Sequence, residues 1–156
     1  MRICAIALML ALLGGCDMGP SPEAVRKQEA SAEAKKLAVA RKVYADFLNE
    51  ADKALQLLEK HPNRDALRDQ VTGLQNMLSA ADDAAPGNEK MGELIDEGRG
   101  LLRYFNACLK IANFQAKNKN VSPEKAQSFV DKTCDANAGP IRDLIPQLRE
   151  KNEPGK

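Results

Sequence analysis

The sequence predicts an all-α protein: an up-down bundle of four main helices plus a short C-terminal helix, preceded by a polar stalk that is either helical or disordered. Three observations carry that prediction. Apolar residues return every three or four positions through most of residues 37–148, the spacing of helices that bury one face. A helix-start signature occurs twice, as Ser21-Pro22-Glu23 and Ser122-Pro123-Glu124: serine caps, proline suits the first helical position, and glutamate favours the positive end of the dipole. Breaks concentrate at Pro62, Pro86-Gly87 and Gly139-Pro140, where proline or glycine interrupts a helix.

The elements follow in chain order. Residues 23–36 are mostly Ala, Glu, Lys, Arg and Gln, with Val25 the only large apolar side chain. Helix propensity is high there, but a helix polar all round bridges solvent or frays. The core pattern begins at Leu37, and Leu37, Tyr44, Ala51 and Leu58 recur every seven residues. Ala40, Phe47, Leu48, Ala54 and Leu55 widen that stripe, and His61-Pro62-Asn63 ends it, with Asn63 placed to cap the next helix. The second helix is expected over about 64–81, with Leu67, Val71, Leu74, Leu78 and Ala81 on one face, and a loop over 82–88.

The third helix has the cleanest period, Met91 through Leu94, Ile95, Leu101, Leu102, Phe105, Cys108 and Ala112 to Ala116. Gly92, Gly98 and Gly100 interrupt it, each at a cost of about 1 kcal/mol relative to alanine. Gly98 lies in the apolar stripe, where a missing side chain admits a neighbour; with Phe105 it marks a possible cavity. Residues 117–121 read as a polar turn. Ala126, Phe129, Val130 and Cys134 form the apolar face of the fourth helix, which Gly139-Pro140 is expected to break. Ile141, Leu144, Ile145 and Leu148 suggest a short final helix bent at Pro146, and 151–156 read as a disordered tail.

The N-terminus carries the most specific motif. Arg2 gives a positive start, residues 3–13 an apolar run, and Leu13-Gly14-Gly15-Cys16 a small-residue ending before a cysteine. That is the layout of a secretory signal, and the run is shorter than the ~20 apolar residues of a membrane-spanning helix. The Leu-Gly-Gly-Cys ending resembles the lipobox of bacterial lipoproteins. The resemblance implies that residues 1–15 are cleaved and that Cys16 becomes an acylated first residue. It implies two or three fatty chains such as palmitate, which give stable membrane anchoring where one gives only marginal binding. Asp17 next to that cysteine resembles the enteric-type signal for retention in the inner membrane. The expected organisation is a signal peptide over 1–15, a lipidated N-terminus and stalk over 16–36, a bundle over 37–150 and a tail over 151–156.

Charge narrows the partners. Lys and Arg number 23 against 22 Asp and Glu, and loss of Arg2 with the signal brings the mature side chains into balance. No strong net field exists to recruit nucleic acid, and the absence of tryptophan with 4% aromatics leaves no base-stacking platform. The expected partners are the membrane, through the lipid, and a periplasmic or membrane protein; oligomeric state stays open.

With Cys4 removed and Cys16 acylated, Cys108 and Cys134 are left in a compartment that favours pairing. In an antiparallel hairpin turning near Asn120, Cys108 stands 12 positions before the turn and Cys134 stands 14 after it. At about 1.5 Å per residue the two lie at nearly one height on facing stripes, so a disulfide is expected. A redox or metal role lacks C-x-x-C spacing and histidine partners.

No catalytic constellation emerges. His61 is the single histidine and sits in a turn. Glu89, Glu93, Asp96 and Glu97 lie off the apolar stripe and read as a solvated face, without the Glu-x-x-His pairs of a bundle di-metal site. Glycine-rich phosphate loops, nucleophile elbows and zinc signatures are missing. The layout is similar to periplasmic four-helix bundles of the cytochrome b562 type, but residues 37–60 contain no methionine and the final segments no histidine, so haem binding does not carry over and no cofactor or metal is expected. The functional expectation is a non-enzymatic protein-interaction module in the bacterial envelope, of the accessory, exclusion or immunity type. The alternative is a small apolar-ligand carrier with a cavity beside Gly98 and Phe105.

Overall fold

The structure, a computed structural model, describes residues 21–154 other than Pro62 and Lys119. Four helices follow one another: α1 (Pro22–Leu58), α2 (Arg64–Ala84), α3 (Glu89–Lys117) and α4 (Pro123–Asn152). Each packs chiefly on its two chain or ring neighbours: α1 on α2 and α4, and α3 on α2 and α4. This is the up-down bundle that the sequence predicts.

Every helix starts on a side-chain cap. Ser21 Oγ accepts from Ala24 N at 3.2 Å, Asn63 Oδ1 from Ala66 N at 2.9 Å, Asn88 Oδ1 from Met91 N at 3.0 Å and Ser122 Oγ from Lys125 N at 3.4 Å. Each satisfies a backbone donor that the first turn leaves without a helical partner. His61, between α1 and α2, takes a positive φ of 53°.

One continuous core runs down the bundle. Tyr44, Phe47, Leu58, Leu74, Ile95 and Phe105 are among its fully enclosed side chains, and no polar or charged residue among those described is buried with them. The Tyr44 and Phe47 rings pack tilted, 5.4 Å between centroids, within the range where aromatic pairs attract.

Four features differ from the sequence reading. The stalk and the first core helix are one element, because α1 runs unbroken across residue 36; of the two expected forms, the helical one holds. The separate C-terminal helix does not exist. α4 continues through Gly139, Pro140 and Pro146, because Val130, Cys134, Ala138, Ile141, Ile145 and Leu148 form one buried stripe in unbroken register. Burying that stripe outweighs a proline cost of about 3 kcal/mol each, and Pro146 is exposed, where water reaches the carbonyl it leaves unpaired. The tail expected over 151–156 begins later, since Lys151 and Asn152 belong to α4. Finally, Phe129 is 53% exposed and does not join the apolar face of α4: it stands about 100° around the helix from Val130, outside the stripe.

Candidate functional site

The proposed lipidation site Cys16, the sorting residue Asp17 and the signal over 1–15 lie outside the described residues. What the structure places is the domain behind them.

Cys108 on α3 and Cys134 on α4 come together as the level matching requires, both buried, at 0% and 2% exposure. They are free thiols rather than a disulfide. The two side chains share a hydrogen bond. That bond, helped by burial, holds the proton on Cys108 far above the ordinary thiol range, and as acceptor of the same bond Cys134 is drawn below it.

The space expected beside Gly98 and Phe105 is filled. A Cβ built on Gly98 would stand 2.8 Å from Leu78 Cδ1 and 3.2 Å from Tyr44 Cε2. Phe105 is wholly enclosed. The glycine therefore admits a ring of the same chain rather than a ligand. Tyr44 is fixed there because its hydroxyl donates to the Leu94 carbonyl at 2.7 Å. Burial, reinforced by the nearby Glu97 carboxylate, holds its phenol protonated well above the usual tyrosine range.

The carboxylates read as a solvated face divide in the structure. Asp96 pairs with Arg99 at 2.6 Å on its own helix. Glu97 turns toward α4 and pairs with Lys151 at 2.6 Å, while its Oε2 is buried without a hydrogen-bond partner. This pair borders an open cleft of about 600 Å³ between α1, α3 and α4, lined by Arg41, Lys90, Glu93, Glu97, Gln147 and Lys151. With Glu150 also in the lining, three cations stand against three carboxylates, so the cleft carries no net charge for a charged ligand. His61 serves a turn: its Nδ1 stands 3.3 Å from Asp131 Oδ1 on α4. Among the described residues no three His, Cys, Asp or Glu side chains converge to hold a metal ion, and no helix is long and apolar enough to cross a membrane.

Two exposed aromatics complete the surface. Phe114 on α3 is 61% exposed and Phe129 on α4 is 53% exposed. Phe129 is expected on the apolar face of its helix and Phe114 carries no expectation; the signal that would have found both is the spacing of lysines around each.

The fold and surface thus define an all-α four-helix bundle. No protein-family model, no curated protein and no solved structure matches the chain.

Proposed function

We propose that the protein is a membrane-anchored periplasmic lipoprotein, acylated on Cys16, that works as a non-enzymatic protein-interaction module. Asp17 favours the inner membrane over the outer. One structural observation supports this reading above the others: α1 begins six residues after Cys16 and runs unbroken into the bundle, with every residue from 22 to 36 exposed. A helical arm of about 22 Å between an anchor and a packed domain serves to present that domain away from the headgroups. The filled space at Gly98 gives the carrier alternative no support.

In an oxidising periplasm, exchange with the disulfide of a thiol oxidant, which leaves as its reduced dithiol with the two electrons and two protons, closes the facing Cys108 and Cys134 thiols to a disulfide that clamps α3 to α4. The bridge then belongs to the rigidity of the module rather than to redox chemistry.

The test of location is metabolic labelling with radioactive palmitate of the full-length chain and of Cys16→Ser. The label is expected on the first, in the membrane fraction, and absent from the second. A freely soluble chain with an unmodified N-terminus, or with residues 1–15 still attached, overturns the assignment. The test of role is crosslinking and co-purification of the lipidated protein from its own membranes. One dominant protein partner is expected; recovery alone, with a bound small molecule in mass spectrometry, overturns it.

A further inference from the structure

Neighbouring helices carry one spacing twice. Lys110, Phe114 and Lys117 on α3 and Lys125, Phe129 and Lys132 on α4 each stand at i, i+4 and i+7, a single line along a helix. Each line lies opposite its helix's buried stripe, which is marked by Cys108 and Ala112 on α3 and by Val130 and Cys134 on α4. A single exposed phenylalanine is ordinary. Two of them, each between two lysines and flanking the same turn, are not explained by solubility, which lysines alone would secure.

Charge is segregated in the same sense. Residues 98–123 contain no aspartate or glutamate but hold Arg99, Arg103, Lys110, Lys117 and Lys119, whereas 82–97 hold six acidic residues and one lysine. Along α3 the charge thus runs from an acidic start to a basic finish, while on α4 Glu124, Asp131 and Asp135 stand beside Lys125 and Lys132. Arg99 is neutralised by Asp82 and Asp96; Lys110, Lys117, Lys125 and Lys132 take part in no ion pair among the described residues. A cleft of about 350 Å³ at the same end, walled by Ala112, Ala116, Val121 and Val130, lies on the stripe side of the two helices rather than on their lysine lines, and Arg64 in its lining is paired with Asp65. Gln115, in its wall, has a buried Oε1 without a hydrogen-bond partner. Exposed rings, each between two lysines without an ion pair, suit a peptide that brings apolar side chains and carboxylates.

We propose that the α3–α4 end of the bundle is the docking surface, and that its occupant is an acidic segment of a partner protein carrying apolar side chains. The inference rests on the interaction-module reading and names the surface and chemistry that reading leaves open. An anionic lipid surface shares the charge but not the geometry. The α3–α4 turn lies beside the α1–α2 turn, where His61 meets Asp131, and so at the far end of the 37-residue α1 from Pro22, about 55 Å away. A bundle lying flat on α3 would press Glu89, Glu93 and Asp96 against anionic headgroups. Complementary charge then steers the encounter, and the two rings supply the buried contact.

The experiment places a photo-crosslinking benzophenone amino acid at Phe114, Phe129 or, as a control at the opposite end, Val39, in the full-length lipidated protein in its own membranes. A protein adduct is expected from positions 114 and 129 and not from 39. Its yield should fall about tenfold or more in a K110E/K117E or K125E/K132E background, with the thermal melt of each variant unchanged. The crosslinked partner peptide should be net acidic. Adducts from 39 alone, adducts indifferent to the lysines, or a neutral or basic partner peptide overturn this surface while leaving the interaction role standing. Lipid adducts at 114 and 129 overturn it in favour of a membrane contact. No protein adduct from any position overturns both the surface and the interaction role.

Discussion

Arg41 and Asn152 hold each other reciprocally across 111 positions of sequence. Arg41 Nη1 donates to the Asn152 carbonyl at 2.8 Å, and Asn152 Nδ2 donates back to the Arg41 carbonyl at 3.0 Å. The last residue of α4 is thereby tied to α1 where the exposed arm enters the bundle. Arg149, bonded to Asn49 and Asp52, and Arg142, paired with Glu59, continue the seam along the same two helices. Arg41→Ala and Asn152→Ala should each destabilise the bundle by about 1–2 kcal/mol, the cost of part-buried hydrogen bonds left unmade. Each side chain donates to the other residue's backbone carbonyl, so the two variants remove different hydrogen bonds and the double variant should lose about the sum of the two. Urea unfolding measures all three, and single variants as stable as the parent would contradict the seam.

Glycines that look alike in sequence should respond oppositely. Gly98→Ala drives a methyl group against Leu78 and the fixed Tyr44 ring and should cost about 1–3 kcal/mol as overpacking. Gly92→Ala and Gly100→Ala meet nothing within 4 Å, and each should stabilise by about 0.5–1 kcal/mol by restricting the unfolded chain and raising helix propensity. Thermal melts of the three variants suffice. A stabilised Gly98→Ala would show that the close approach of α1 and α2 to α3 is absent.

Tyr44 makes the bundle sensitive to alkali. Its phenol is held above the ordinary value of 10.0 in the folded state, so the unfolded chain gives up that proton first as pH rises. Its contribution is therefore complete below about pH 10 and declines above it. Tyr44→Phe removes the hydroxyl bonded to Leu94, should cost about 1 kcal/mol near neutrality, and should flatten the loss of stability above pH 10 relative to the parent. Parallel slopes for the two proteins would refute the assignment.

Closing the Cys108–Cys134 bridge should raise stability by roughly 3–4 kcal/mol for a loop of this length in the chain-entropy model. The native protein recovered from its own membranes should show neither Cys108 nor Cys134 reactive after denaturation, and reduction should lower its melting temperature. Free thiols together with a melt unchanged by reductant would end the claim.

Local pattern carried much of the architecture. The stripes through Leu58, Leu74, Ile95, Cys108 and Ile145 all face the core as their spacing requires, because a helix of period 3.6 buries whichever face is apolar. The facing of Cys108 and Cys134 was also legible, since residue rise alone puts them at one height. Pro140 and Pro146 were misleading, because a local rule prices the proline but not the stripe of α4 that continues past it. Glu97 was misleading for a similar reason: its partner Lys151 is 54 positions away, and sequence neighbours say nothing of it.

By itself, then, the sequence determined the helical class, the caps at Ser21, Asn63 and Ser122, and the stripes that meet. Those are settled by spacing and by side chains within a turn of one another. The tertiary structure decided that α1 and α4 are unbroken, that Leu78 and Tyr44 fill the space at Gly98, and that Phe114 and Phe129 face water between unpaired lysines. Those outcomes depend on how many neighbours a side chain finds across the bundle, a quantity that exists only once four helices have packed.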